Sequence, residues 1–309
     1  MSLIKVVLVG CGYWGKNWYK TLQNCKGVEI VAVIDPKPTI EVENQVDDLA
    51  TFDAAGYHYT HAIIAVQAEY HRSYTKYFKA KLGGSKVLVE KPCGLLTENK
   101  ELYYDCYPGF LFLSSPHYKR IKNMLTEKIL GDILYSHFWR ASMGPRIRTD
   151  VPIIEDYMIH DLYIYQDLFK YRLVDVNVSA DSQKQLGEEI KPSTATVVIK
   201  NINNGHRTTF FSSWIYPMKE RKIVIVGTEG SIIWEGDKLF FTRSHYSKIE
   251  GVDEYGNKGW ELKEYPTVDI TPEEKRSTLE LEFNDFINQE PRTQIQKELR
   301  QLLETLASK

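Results

Sequence analysis

The sequence predicts an α/β chain in two parts: a parallel-sheet unit, then an α+β unit built on an open, mostly antiparallel sheet. Three observations carry this expectation. Short, continuously apolar runs alternate with helix-like segments through the first third of the chain, as in parallel sheets covered on both faces. Beyond residue 113 the runs alternate apolar and polar residues, the pattern of strands with one covered face. The length, 309 residues, exceeds what one domain of about 100–200 residues accounts for. The expected division is 1–113 and 114–309.

Each element follows from a local signal. Residues Ile4–Val9 are a β-branched run that stops at a glycine. Residues 16–25 place Trp18, Tyr19 and Leu22 at helical spacing. Further strands are expected at 29–34, 61–66 and 86–89, with a helix at 70–80 and a last apolar strand at 110–113. The stretch between Asp35 and His61 has little room for a helix. A helix over 118–127 opens the second part. Six strands follow, at 133–142, 174–180, 194–199, 207–214, 222–226 and 231–234, of which the central two meet at the Asn203-Asn204-Gly205 turn. Two helices, near 273–288 and 293–307, close the chain.

Lys and Arg total 39 against 41 Asp and Glu, a balance that argues against a nucleic-acid backbone or an anionic membrane as partner. No run approaches the roughly 18 apolar residues of a membrane span. Met1-Ser2-Leu3-Ile4-Lys5 lacks the build of a signal peptide. Cys11, Cys25, Cys93 and Cys106 form neither a two-residue-spaced pair nor a zinc-type cluster, so no metal is expected. The expected compartment is the cytoplasm.

Chemistry enters at Gly10-Cys11-Gly12-Tyr13-Trp14-Gly15. This G-x-G-x-x-G follows a strand and opens a helix, the context of a dinucleotide-binding Rossmann unit. Gly10 permits the turn, Gly12 the approach of a pyrophosphate, and Gly15 close packing of helix on strand. Asp35, about 20 residues on, suits a ribose 2′-hydroxyl and repels a 2′-phosphate. NAD is therefore expected ahead of NADP, with Lys37 weakening the preference. Glu90-Lys91-Pro92 ends a buried strand, which puts Lys91 where ligands bind such sheets; its charge can stabilise a developing alkoxide.

Together, Gly10-Cys11-Gly12-Tyr13-Trp14-Gly15, Asp35 and Glu90-Lys91-Pro92 resemble the glucose-fructose oxidoreductase / inositol dehydrogenase / MocA (Gfo/Idh/MocA) family. The likeness continues in Leu113-Ser114-Ser115-Pro116, in Gly131-Asp132-Ile133, in Trp214-Ile215-Tyr216-Pro217-Met218-Lys219 and in Val226-Gly227-Thr228-Glu229-Gly230. These segments look like its sugar-nucleotide-oxidising members.

The resemblance implies an oxidoreductase moving a hydride between nicotinamide and a secondary hydroxyl or ketone of a sugar or nucleotide sugar. It implies Lys91, Asp156 and His160 as catalytic residues that also touch substrate. Cofactor contacts are expected from Gly10, Gly12, Tyr13, Trp14, Gly15, Asp35, Val66, His71, Glu90 and Lys91. The sequence departs from the family at Val66-Gln67-Ala68, where Thr-Pro-Asn is common, and at Met158, where glycine is common.

In Asp156-Tyr157-Met158-Ile159-His160-Asp161 a regular helix would put Asp156 and His160 one turn apart on one face. An imidazole titrating near neutrality suits the base for a hydroxyl proton, and Asp161 is expected to be structural. Arg146 and Arg148 could meet a substrate diphosphate or be a solvated basic loop. A free sheet face in the second part predicts a homodimer or homotetramer. The alternative reading is a non-catalytic dinucleotide-binding sensor of the same fold.

Overall fold

The computed structural model describes residues 3–94, 100–143, 151–170, 174–181, 193–248, 251–252, 254–256, 259–288 and 292–308. The chain packs as two units, one of Met1–Ser115 with Lys275–Glu304 and one of Pro116–Glu274 with Thr305–Lys309.

The first unit opens with β1 (Ile4–Val9), α1 (Gly15–Asn24), β2 (Val28–Ile34), β3 (Gln45–Val46) and α2 (Leu49–Ala55). It continues through β4 (His61–Ile64), α3 (Ala68–Leu82), β5 (Val87–Glu90) and β6 (Tyr107–Gly109). The strands lie in the order β3-β2-β1-β4-β5-β6, every pair parallel. Alternation along β1 builds two cores. Val7 and Val9 pack with Phe52 and Phe78 on one face, and Val6 and Leu8 with Trp18 and Leu22 on the other.

Two local expectations need correction. The stretch after Asp35 does hold a helix, α2, started by the Asp48 carboxylate accepting the Thr51 N–H at 2.8 Å. At seven residues it is too short for helical periodicity to register. The last strand is Tyr107–Gly109, on the sheet edge where Pro108 is tolerated. Residues Leu111–Ser114 instead make a 3₁₀ turn.

The second unit begins with α4 (Pro116–Thr126) and β7 (Ile133–Met143), then a π-helical turn (Ile154–Met158) running into α5 (Ile159–Phe169). The strands β8 (Val174–Asp181), β9 (Thr194–Asn201), β10 (Arg207–Ser213), β11 (Ile215–Gly227) and β12 (Gly230–Glu235) follow. The six expected strands are all present. To them the structure adds β13 (Lys238–Lys248), β14 (Trp260–Glu264) and β15 (Val268–Asp269). The order is β14-β13-β12-β11-β7-β10-β9-β8 with β15 beside β13. Only the β7–β10 pair is parallel among those described.

Register gives this sheet two unlike faces. Val197, Phe210, Phe138, Ile223, Trp234 and Leu239 form one row across six strands, and all are buried. Tyr165 of α5 packs edge-on against Phe138 and Phe210 of that row. The neighbouring row, Val198, Thr209, His137, Val224, Ile233 and Phe240, faces the other way and is only half-buried.

The closing helices α6 (Thr278–Asn288) and α7 (Thr293–Ala307) correct the expected division at 113, which left them with the second unit. Leu279, Phe283 and Phe286 of α6 complete the core of Val6, Leu8 and Trp18. Asp285 accepts from Ser114 Oγ at 2.7 Å and from Arg292 Nη2 at 3.1 Å. Gln296 Nε2 donates to the Cys106 carbonyl at 2.9 Å. No described helix is long and apolar enough to cross a membrane.

Candidate active site

Since β1, β2, β4 and β5 are parallel, the loops after them leave one edge of the sheet. That carboxyl edge is where such sheets bind ligands, and it collects Gly10, Asp35, Val66 and Lys91. Gly10 has φ +88°, and a Cβ there would meet the Ala65 backbone and Val66 Cγ1 at 2.9 Å. A Cβ on Gly15 would stand 2.0 Å from the Gly10 carbonyl oxygen. Neither position admits a side chain. Around Gly12, by contrast, nothing lies within 4 Å of a Cβ, leaving the room a pyrophosphate needs. Helix α1 starts at once, with no acidic residue in its first turn, so its N-terminal amides favour an anion.

Asp35 closes this loop. Its Oδ2 accepts the Cys11 N–H at 2.6 Å and its Oδ1 the Lys37 N–H at 2.8 Å. Thr39 folds back, its N–H and hydroxyl donating to the Cys11 carbonyl at 3.0 and 2.9 Å. Each carboxylate oxygen has a second lone pair for a hydroxyl donor. An open glycine cradle with a carboxylate beside it fits a dinucleotide. Tyr13 stands 73% exposed at its rim.

Three expected cofactor contacts turn inward. His71 is 1% exposed, its ring nitrogens 3.0 Å from the Val66 carbonyl and 3.1 Å from that of Pro92. It braces the loops after β4 and β5. The Trp14 indole donates to Glu90 Oε1 at 2.5 Å, and Glu90 is itself buried. Lys91, half-buried, follows with a cis bond to Pro92.

In the second unit, Asp156 lies in the π-helical turn and His160 in the first turn of α5. This differs from the regular helix expected, because the wider i→i+5 turn changes the angular spacing of the two side chains; such turns are frequent at functional sites. Asp156 is buried and His160 half-buried. His160 Nδ1 lies 3.0 Å from the Tyr163 hydroxyl, with the two rings edge-on. Asp161 is structural: its oxygens accept from Arg140 Nε at 2.9 Å and Nη2 at 2.7 Å, both side chains fully enclosed. That bidentate pair ties α5 to β7. Arg146 and Arg148 lie outside the described residues.

The sequence reading gives Trp18 and Tyr163 no role beyond packing and does not mark Thr39. Trp18 stands four residues after Trp14 and Tyr163 three after His160, spacings that make neighbours on a helix. Thr39 carries no such signal.

Residues 118–233 match the family described as GFO/IDH/MocA C-terminal domain. A D-apiose dehydrogenase from Rhizobium rhizogenes is 23% identical over 262 residues, covering 75% of this chain and 73% of that protein. An oxidoreductase from Agrobacterium radiobacter, solved with NAD+, L-tartaric acid and magnesium, superposes with a TM-score of 0.74 at 18% identity, covering 99% of this chain and 96% of that one. A UDP-N-acetylglucosamine 3-dehydrogenase from Acidithiobacillus ferrooxidans gives 0.69 at 18% identity, covering 100% and 96%.

Proposed function

For a chain whose residues 118–233 match the GFO/IDH/MocA C-terminal domain family, we propose an NAD-dependent oxidoreductase acting on a secondary hydroxyl or ketone of a sugar or nucleotide sugar. The observation that carries this reading is the open glycine cradle beside Asp35, on the sheet edge that also bears Lys91. The D-apiose and UDP-N-acetylglucosamine dehydrogenases support the substrate class, and the NAD+ of the Agrobacterium protein supports the cofactor.

The loop of Gly10, Gly12, Tyr13, Trp14 and Gly15 holds the pyrophosphate through backbone N–H groups, with Val66 beside it. Asp35 takes the ribose hydroxyls and repels a 2′-phosphate. When bound, the nicotinamide supplies the hydride acceptor. Lys91 donates a hydrogen bond to the reacting oxygen and stabilises the alkoxide by its charge. His160 takes the hydroxyl proton, and Asp156 orients the imidazole or a sugar hydroxyl. Arg146 and Arg148 meet an anionic group of the substrate.

Two further assignments belong to this reading. The half-buried sheet face of the second unit pairs with a second copy. All four cysteines are free thiols, which suits the reducing cytoplasm.

The test is the absorbance of reduced nicotinamide on mixing the chain with NAD and a panel of sugars and nucleotide sugars, with Lys91→Ala beside it. The expected result is a signal with one sugar class, reduced at least about a hundredfold in the variant with NAD affinity kept. NAD binding without turnover of any sugar would favour the sensor alternative, and no NAD binding would overturn the reading.

A further inference from the structure

Glu90 is buried, yet three N–H donors converge on it. Trp14 Nε1 at 2.5 Å and Trp18 Nε1 at 2.7 Å both reach Oε1, and the Lys91 N–H reaches Oε2 at 3.3 Å. These donors come from two places. Trp14 belongs to the glycine loop and immediately precedes α1, whereas Lys91 is the first residue beyond β5. One carboxyl thus bonds the phosphate loop and the backbone of the lysine.

A second carboxyl lies within its field. Glu282 of α6 is 0% exposed, and neither of its oxygens has a hydrogen-bond partner. Two buried carboxyls that feel each other do not both ionise readily. Their partners set the two apart: Glu90 accepts three N–H hydrogen bonds and Glu282 none. Burial and the nearby Glu90 charge push the Glu282 carboxyl well above the usual carboxylate range. Burial raises the Glu90 carboxyl as well, with the Trp18 and Trp14 hydrogen bonds and the Lys91 charge drawing it back down.

We propose, resting on the NAD-dependent reaction above, that Glu90 is a positioning residue whose carboxyl group ties Trp14 of the phosphate loop to the Lys91 backbone. Nucleotide affinity and the placement of the lysine then depend on one buried group that touches neither ligand. In Glu90→Gln, an amide NH₂ must face either the indoles or the Lys91 N–H, so at least one of those bonds is lost. Trp14→Phe removes only the loop's share.

The experiment measures the NAD dissociation constant by titration calorimetry, kcat at saturating NAD, and the melting temperature for the wild-type chain and four variants. Glu90→Gln is expected to weaken NAD binding or lower kcat, according to which side the amide NH₂ faces, by about tenfold, the size of one hydrogen bond. Trp14→Phe is expected to weaken NAD binding by a similar factor. The double variant is expected to lose less NAD affinity than the two single losses combined, because both changes act on the Trp14–Glu90 contact. Glu282→Gln, outside the hydrogen-bonded set, is expected to match wild type in both. Wild-type affinity and kcat in Glu90→Gln would overturn the inference, as would losses of the same size in Glu282→Gln. Should Glu90→Gln not fold, Trp14→Phe decides: wild-type NAD affinity there overturns the inference. A wild-type chain that binds no NAD overturns the functional reading itself, and this inference with it.

Discussion

His206 shows how a single side chain can set the acid limit of the fold. It is 1% exposed, with Nε2 3.1 Å from Ser136 Oγ and 3.4 Å from Thr208 Oγ1, and with Phe169 edge-on at 4.7 Å. Burial pushes its pKa down from 6.5 to about 4. Between those values the unfolded chain takes up a proton that the folded one refuses, so stability falls as pH drops from about 6.5 to 4. The full difference is about 3 kcal/mol. Urea unfolding of the wild type through this window should show that loss, and His206→Gln should flatten it; an unchanged slope in the variant would assign the acid sensitivity elsewhere. Nothing in the sequence marks His206 as special, because its environment is built by Ser136 and Phe169, far away along the chain. Gly10 and Gly15 are the opposite case. Their requirement is a backbone one, met within a few residues and at the end of β4, so it can be read from the local motif.

Elements were legible in proportion to the length and purity of their pattern. The β-branched runs of β1, β2 and β5 announce buried strands, and the Asn203-Asn204-Gly205 turn announces the β9–β10 hairpin, where Asn201 Oδ1 accepts the N–H groups of Asn203 and Asn204. Helix α2 escaped because two turns do not establish a period. The π-helical turn escaped because an i→i+5 ring leaves no mark in apolar spacing. β13 escaped although Gly236-Asp237, the two residues between Glu235 and its partner Lys238, is itself a hairpin signal. At this scale the sheet of the second unit makes a prediction. Its half-buried row runs from Val198 through His137, Val224 and Ile233 to Phe240, beside a cavity of about 460 Å³ lined by His137, Trp139, Tyr216 and the Lys222–Glu235 pair. A face of this composition suits an interface between copies. Val224→Glu with Ile233→Glu should shift light-scattering mass to that of one chain while leaving the circular dichroism unchanged. A wild-type chain that already scatters as one copy would remove the face from the assembly.

For the whole molecule, the two-part architecture and the place of the glycine loop were legible, but the membership of the closing helices was not. Their apolar stripes say that they are buried, not against which sheet. Only tertiary contact sends Phe283 and Phe286 to Trp18 and Tyr107, and Asp285 and Arg292 to Ser114. Burying a Phe side chain contributes about 1.5–3 kcal/mol, so a fragment of residues 1–115 should unfold without a cooperative transition. The same fragment joined through a flexible linker to residues 275–304 should recover one, by thermal circular dichroism. Equal cooperativity in both would mean that the parallel sheet is self-sufficient. The same discontinuity governs how the protein is born. A ribosome adding roughly 5–20 residues per second emits the glycine loop and Lys91 early, then spends on the order of ten to forty seconds on the residues that separate Ser115 from Glu304. Through that interval the parallel sheet waits with the Val6, Leu8 and Trp18 face uncovered, a surface for chaperones to guard. Most of the antiparallel unit, Pro116–Glu274, leaves the ribosome before the residues that complete the unit preceding it.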